Sequence, residues 1–581
     1  MKKEHILDYL GLTVLFLVYL ATLRFVRPWG DFPLMDDWVY SLDCVNSARE
    51  GRLMVGKYES AWSFPQLVMG TFIAKFYGFS FPLFRLSGVV SLLAIVLMMD
   101  VYLRRVGLAS PDRLIAAATL VFNPVVYALS LTFMTDPPFL ALWLAACYAW
   151  EMGFLTRRRS WLIIASLTTM AAMAQRQPAL CITVAALLLL FVHVVVWPYV
   201  MKLEVRWSFP AGDFRREATV CLVATLVFFV LFFLWWRSIG GYVVSVNAPQ
   251  RNRYRLLFGF SSLIFLAIGT LPLLIVLAKP YLSRGVRKFT VALSLLLILP
   301  LLVFFATGAS PLLFGNLFSQ FGLFGEDIVL LGRRPVILGP NFNRLACILG
   351  MIGLALTVPR LLSLRFSSPR FHGSITPRSA AEADLTHVQP DRFGFVPLLA
   401  GLVLLCIFVF RGVYFDRYLL PVLVSFWIWI ARIGSRNSAR LRAIAAALVL
   451  VFAGMSVTLV ADYFRWNEAR WAAAEMLVSR GVPADAIHAG YEWYGWHDAT
   501  FSHPPPNPSG YEYLVAFSAD FPDFEVVETI SWSSMWPPRK RLMYVLKRTA
   551  PRPEKDRRRD GTAEFQRSKT LKLPSKGAGR L

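Results

Sequence analysis

The chain has 581 residues, of which 56% are hydrophobic and 17% charged, with a mean hydropathy of +0.54. A soluble protein of this length carries about 25% charge spread over polar-surfaced domains, so the composition excludes the soluble, disordered, collagen-like and disulfide-stapled classes. The formal net charge of +24 falls largely in short clusters between apolar runs, such as Arg157, Arg158 and Arg159, where it orients helices in a bilayer rather than binding nucleic acid.

A helix needs about 20 mainly apolar residues to cross the roughly 30 Å hydrocarbon core, and on that rule the chain reads as an all-α polytopic membrane protein of about 13 crossings. Their centres fall near Leu15, Ser91, Leu120, Leu144, Leu167, Leu188, Phe228, Leu266, Leu296, Met351, Leu404, Val424 and Leu450. The first apolar run, Ile6 to Val26, is too long for a signal peptide and lacks a small-residue cleavage site, so it reads as a retained helix. Residues 27–81 form a long first outer loop, whose stretches Trp38 to Ala48 and Phe64 to Phe76 suit short helices lying along a membrane surface. Basic clusters recur at every second connection, from Lys2 and Lys3 through Arg104, Arg105 and Arg113 to Arg432 and Arg442. Placed in the cytoplasm, they put the N-terminus inside and the C-terminus outside.

The chain therefore divides, on its sequence, into a transmembrane region over 1–461, a small extracytoplasmic α/β domain over 462–545 and a tail over 546–581. The middle part contains the turn-forming run His503-Pro504-Pro505-Pro506-Asn507-Pro508. The tail holds twelve Lys/Arg against four Asp/Glu and reads as basic and disordered. Of six cysteines only Cys44 lies in a polar loop, and no CxxC occurs, so neither a disulfide framework nor a zinc site is indicated. His5, His193, His488, His497 and His503 lack ligand spacing, and no metal ligand is assigned. Whether a divalent metal assists two or three acids at one cavity stays open at this point. P-loop, GxGxxG, GxSxG and HExxH patterns are absent, against a nucleotide motor and the common hydrolases.

The topology gathers Asp36, Asp37, Asp136, Gln175, Arg176, Arg237, Glu326, Asp327, Asp416 and Arg417 onto the outer face. Ionisable groups at a membrane cost about 2.5–3.5 kcal/mol each on insertion scales and so mark functional sites. Asp36-Asp37-Trp38-Val39-Tyr40 offers a carboxylate as general base, or else a cap for the helix that starts at Trp38. Asp136, in Thr135-Asp136-Pro137-Pro138, is a second site acid or an ordinary helix start. Arg176 interrupts a long apolar stretch at Gln175-Arg176-Gln177; it either snorkels to lipid headgroups or neutralises a bound phosphate. At Arg411 and the run Phe415-Asp416-Arg417-Tyr418, Asp416 and Arg417 either satisfy each other or the interface, or the Arg serves a lipid phosphate. Arg251, Arg253 and Arg255 give the outer face positive charge against the usual bias, which favours an anionic ligand.

An opening helix, a long outer loop with an acidic pair, then Gly78-Phe79-Ser80, Phe84-Arg85-Leu86-Ser87, Thr135-Asp136-Pro137, Gln175-Arg176-Gln177 and Arg417-Tyr418-Leu419-Leu420-Pro421 follow in order along the chain. This series resembles the C-type (GT-C) membrane glycosyltransferases, in particular the protein O-mannosyltransferase, aminoarabinose transferase and rhizobial galacturonosyl transferase relatives. The resemblance implies a GT-C fold in a bacterial inner membrane and transfer of a hexosyl or pentosyl group from a polyprenyl-phosphate donor. The acceptor would be an envelope glycan, lipid or protein. It implies Asp36 as catalytic base, Asp37 and Asp136 as site acids, and Arg176, Arg417 and Arg85 facing the donor phosphate. Val39 and Phe64-Pro65 stand where some relatives carry an Arg and a Lys-Pro pair, which leaves open which Arg holds the phosphate. Two other readings accompany this one. A transporter or flippase of lipid-linked precursors also has many crossings, although no inverted halves correspond here. A surface-assembly protein would bind cell-wall polymer through 462–545.

Overall fold

The computed structural model describes residues 2–56, 59, 61–192, 212–239, 255–277, 317–319, 322–323, 330–339, 341–353 apart from 343 and 347, 393–411, 415–432, 439–497 and 508–549. The chain divides into two compact units, Met1–Glu326 with Val336–Phe464, and Asp327–Pro335 with Arg465–Leu581.

The first unit is helical: α1 (Lys2–Val26), α2 (Asp37–Glu50), α3 (Phe64–Tyr77), α4 (Phe81–Arg105), α5 (Ser110–Val121), α6 (Pro124–Leu129), α7 (Asp136–Thr156), α8 (Arg159–Gln175), α9 (Leu180–Phe191), α10 (Gly212–Ser238), α11 (Arg255–Val276), α12 (Phe395–Arg411), α13 (Leu420–Ala431) and α14 (Ala439–Ser479), the last continuing into the second unit. Proline within the first two positions opens α3, α4, α5, α6, α7 and α13, where its missing N–H costs no helical hydrogen bond. Ser80 caps α4 by accepting from Leu83 N at 3.3 Å, and Gly51 ends α2 at a φ of +66° that favours glycine.

Among the described residues five helices are long and apolar enough to cross a membrane, with windows Tyr9–Val26, Phe81–Arg105, Asp136–Thr156, Asp213–Ser238 and Ala439–Ser479. The expectation was about thirteen over the whole chain, and several of its centres fall in shorter helices or outside the described residues. The centres Leu120, Leu167, Leu188, Leu404 and Val424 do lie in helices, but α5, α8, α9, α12 and α13 have 12, 17, 12, 17 and 12 residues. Asn123-Pro124 breaks a run that hydropathy alone reads through. Met351 belongs to a short apolar helix, Arg344–Gly353, and Leu296 lies outside the described residues.

Buried charges tie the helix ends together. Asp100 accepts from Arg104 at 2.8 Å and from Arg113 at 2.9 Å, and Asp112 accepts from Arg442 at 2.7 Å. Glu151 accepts the N–H groups of Gly394 and Phe395 at 2.5 and 2.8 Å, satisfying the start of α12. Two glycines permit close packing around the segment that leads into α7. A Cβ at Gly88 would sit 2.6 Å from Ser130 O and 2.8 Å from Thr132 O, and one at Gly70 would strike Cys44 Sγ. The two-residue strands β1 (Phe318–Ser319) and β2 (Gly322–Leu323) pair antiparallel in this unit.

The second unit is built on a small four-stranded sheet in the order β3 (Ile487–His488), β4 (Tyr513–Ala516), β6 (Arg539–Arg548), β5 (Phe524–Ser534). β3 runs parallel to β4; the other pairs are antiparallel. Tyr511, Leu514, Ala516 and Leu546 form its core, with Leu331 packed against them. Leu331 also bridges Ala516 and accepts from Phe517 N at 2.9 Å, which is why 327–335 joins this unit. The short helix α15 (Tyr491–His497) carries Glu492, fully buried with Arg470 at 2.8 Å. Because β6 runs to Arg548, the first residues of the expected tail are strand; 550–581 lie outside the described residues.

Candidate active site

The site forms where four chain segments meet in the first unit. Met35 adopts a left-handed φ of +54°, turning the chain into α2 with Asp36 at the N-cap position. Asp36 makes no side-chain cap hydrogen bond, so the capping alternative is not what the carboxylate does. Its Oδ2 accepts from Arg417 Nη2 at 3.2 Å. Arg417 Nη1 also lies 3.9 Å from Oδ2 of Asp136. Asp136 is the first residue of α7, where the helix dipole favours its charge. Its other oxygen pairs with Arg176, which also reaches Thr135 Oγ1 at 3.3 Å. The chain of groups thus reads Asp36, Arg417, Asp136, Arg176, joining residues up to 381 positions apart.

The side chains of Asp136, Arg417 and Arg176 are 5%, 6% and 11% exposed, whereas Asp36 is 32% exposed. Three of the charges are therefore desolvated and one acid faces open space, the distribution expected of a group that meets a reactant. Tyr418 stands between the guanidiniums, with its ring centroid 4.8 Å from Arg176 and 5.4 Å from Arg417. Arg and aromatic faces attract in such geometry. The arginines border a cavity of about 320 Å³ whose walls include Phe139, Leu140, Leu404, Phe408 and Leu420 and whose polar lining includes Asp136, Arg176 and Arg417. It is an apolar hollow with charge at one border.

The remaining expected site residues are elsewhere. Asp37 is fully buried and accepts from Phe133 N at 2.9 Å; burial pushes its carboxyl up to about 7, with the positive charge of Arg85 opposing. Arg85 is 3% exposed and donates to the carbonyls of Pro28 (2.9 Å), Gly30 (2.7 Å) and Phe32. The rings of Phe32 and Phe464 lie 5.4 and 5.2 Å from its guanidinium. It holds the segment that leads to Asp36 and does not line the cavity. Asp416 accepts from Leu317 N and from Arg417 N. Glu326, Asp327, Arg251 and Arg253 lie outside the described residues, and Arg237 is exposed on α10 with Phe233 beneath it.

Sequence reasoning missed Gln66. Its Nε2 donates to Phe133 O at 2.6 Å and its Oε1 accepts from Gln175 at 2.9 Å, while Ser63 N donates to Gln175 O at 3.0 Å. This amide chain fixes α3, the approach to Asp136 and the end of α8 on one another, one residue from Arg176. A glutamine inside an amphipathic helix carries no local mark of such a role. Asp43 and Glu59 are a second acidic pair in the same loop: burial raises both carboxyls, Asp43 to about 6, and Gly56 N donates to Asp43 at 2.9 Å. Among the described residues no group of three or more His, Cys, Asp or Glu is placed to hold a metal ion.

No protein-family model and no curated protein matches the chain. Among solved structures the chain is similar to ArnT from Cupriavidus metallidurans bound to undecaprenyl phosphate, at 12% identity over 93% of this chain and 98% of that one, with a TM-score of 0.40. The same protein in the apo state matches at 13% identity, with the same coverage and a TM-score of 0.39. The apo Archaeoglobus fulgidus oligosaccharyltransferase matches at 13% identity over 86% of this chain and 62% of that one, TM-score 0.36. At TM-scores this low the likeness carries no chemistry across.

Proposed function

We propose that the chain is an integral-membrane glycosyltransferase that moves a sugar from a polyprenyl-phosphate donor to an envelope glycan, lipid or protein outside the cytoplasm. The observation that carries this reading is the convergence of Arg417, Asp136 and Arg176 at the border of an apolar cavity, with Asp36 3.2 Å from Arg417. A donor confined to a bilayer needs a greasy wall for its prenyl chain, a cation for its phosphate and a base for the acceptor hydroxyl, all in one place.

The contacts suit an ordered exchange of partners. Arg417 touches Asp36 at 3.2 Å and Asp136 at 3.9 Å, looser than the pair of Arg176 with Asp136. An incoming phosphate competes best for the looser partner. As Arg417 turns to the phosphate it releases the Asp36 carboxylate, which then accepts the proton of the acceptor hydroxyl as that oxygen attacks the anomeric carbon. Arg417 stabilises the charge that develops on the departing phosphate, a contribution made before the reaction begins. Asp136 holds both guanidiniums in register. One base and one displacement give inversion at the anomeric carbon, by analogy with two-carboxylate glycoside chemistry.

Binding of undecaprenyl phosphate to the purified protein, followed by native mass spectrometry, tests the reading. Arg417→Gln is expected to weaken binding by about tenfold or more, the worth of a charge-assisted contact, while Asp36→Asn still binds. Equal binding by wild type and Arg417→Gln would remove the cation from the phosphate site.

A further inference from the structure

The β5–β6 hairpin of the second unit ends in a turn that the transfer chemistry does not use. Trp536 in that turn is 65% exposed. Pro537 and Pro538 follow it, then Arg539 and Lys540, both exposed. Leu542, two residues beyond Lys540 and so on the same face of β6, is 41% exposed. From Ser531 to Arg548 the sequence contains no Asp or Glu, so no acid of the hairpin's turn half neutralises this charge. The tip is also held in one shape. Ser534 Oγ donates to Pro537 O at 2.6 Å, Ser534 pairs with Arg539 in the ladder, and Arg541 lies 5.7 Å from the Trp532 ring.

A solvated turn needs neither an indole nor a leucine at its surface. An indole beside cations is what the boundary of a bilayer selects: the ring is amphipathic, and Lys and Arg are drawn to anionic headgroups. α14 contains a membrane-length apolar window and runs unbroken into this unit. The hairpin is therefore tethered to a bilayer, whose headgroups are the anionic surface at the highest local concentration. We propose that the tip is a lipid-surface contact, with Trp536 at the headgroup boundary and Arg539 and Lys540 on anionic lipid phosphates.

The test uses the full-length protein in nanodiscs of phosphatidylcholine alone, or of phosphatidylcholine with phosphatidylglycerol. Trypsin cleavage after Arg539, Lys540 and Arg541 is followed by mass spectrometry of the peptides that end at these residues. Cleavage is expected to be roughly tenfold slower on the anionic nanodiscs, from two cations near a charged surface, with high salt restoring the rate. Trp536→Ala, at a position too exposed to affect folding, is expected to lose several-fold of that protection. Equal rates on the two nanodiscs would overturn the proposal. So would protection by a soluble anionic polysaccharide in detergent without protection by anionic lipid, which would make the tip a glycan contact. Neither outcome bears on Asp36 or on transfer.

Discussion

Arg176 and Arg85 look alike in the sequence, each a lone cation in an apolar stretch, and their surroundings separate them. Arg176 meets a carboxylate and a cavity; Arg85 meets three backbone carbonyls and two aromatic rings. Carbonyls have no side-chain signature, so nothing in the order of residues distinguishes a cation that borders a cavity from one that clamps its own chain. Asp36, Asp136, Arg176 and Arg417 were legible because charge at a membrane edge is costly and has to be matched. The pairing of the acids with the arginines was not, since it joins segments far apart in the chain. The burial of the Asp136–Arg176 pair has a stability consequence. Arg176→Gln leaves Asp136 buried without its close partner, a change that costs about 3–5 kcal/mol in comparable pairs. A thermal melt of the purified protein is expected to show that loss, and Arg176→Lys is expected to recover part of it; a melt unchanged by Arg176→Gln would mean the pair is solvated.

Elements set the site through close approach rather than through long crossings. α4 lies against the Ser130–Thr132 backbone only because residue 88 lacks a side chain. Gly88→Ala must push that backbone aside, for about 1–3 kcal/mol of overpacking, and with it the segment that carries Thr135 and Asp136. Lower melting temperature together with lower transfer is expected, measured on matched membranes; a fully active, equally stable Gly88→Ala would show that the approach is not tight. The loop between α1 and α4 has its own pH dependence. Asp37 ordinarily titrates near 3.8 and here near 7, and burial moves Asp43 and Glu59 the same way. Between pH 4 and 7 the unfolded chain has released protons that the folded loop keeps, so stability falls as pH rises through that window and levels above it. In Asp37→Asn the slope of melting temperature against pH over the window is expected to be shallower; an unchanged slope would show that Asp37 ionises normally. Helix existence was legible from apolar runs, whereas helix length was not: Pro124 sits in a run whose hydropathy continues across it.

At the scale of the molecule, composition alone identified a membrane protein, and the five apolar helices long enough to cross among the described residues agree with it. Less accessible was the make-up of the second unit, because 327–335 joins it across a stretch of more than a hundred residues through the Leu331–Ala516 bridge. A strand partner that distant leaves no periodicity to read. What unites the first unit with a single activity is the proposal that Asp36 takes a proton from an acceptor while a lipid phosphate departs. The most direct measurement is mass spectrometry of lipid-linked sugars from cells lacking the protein and carrying either wild type or Asp36→Asn at matched, membrane-inserted levels. The expected result is a polyprenyl-phosphate sugar that accumulates with Asp36→Asn and is consumed with wild type, the rates differing by about 10²–10⁴-fold as for loss of a general base. Identical lipid-linked pools in the two strains, with envelope glycans equally decorated, would contradict the account.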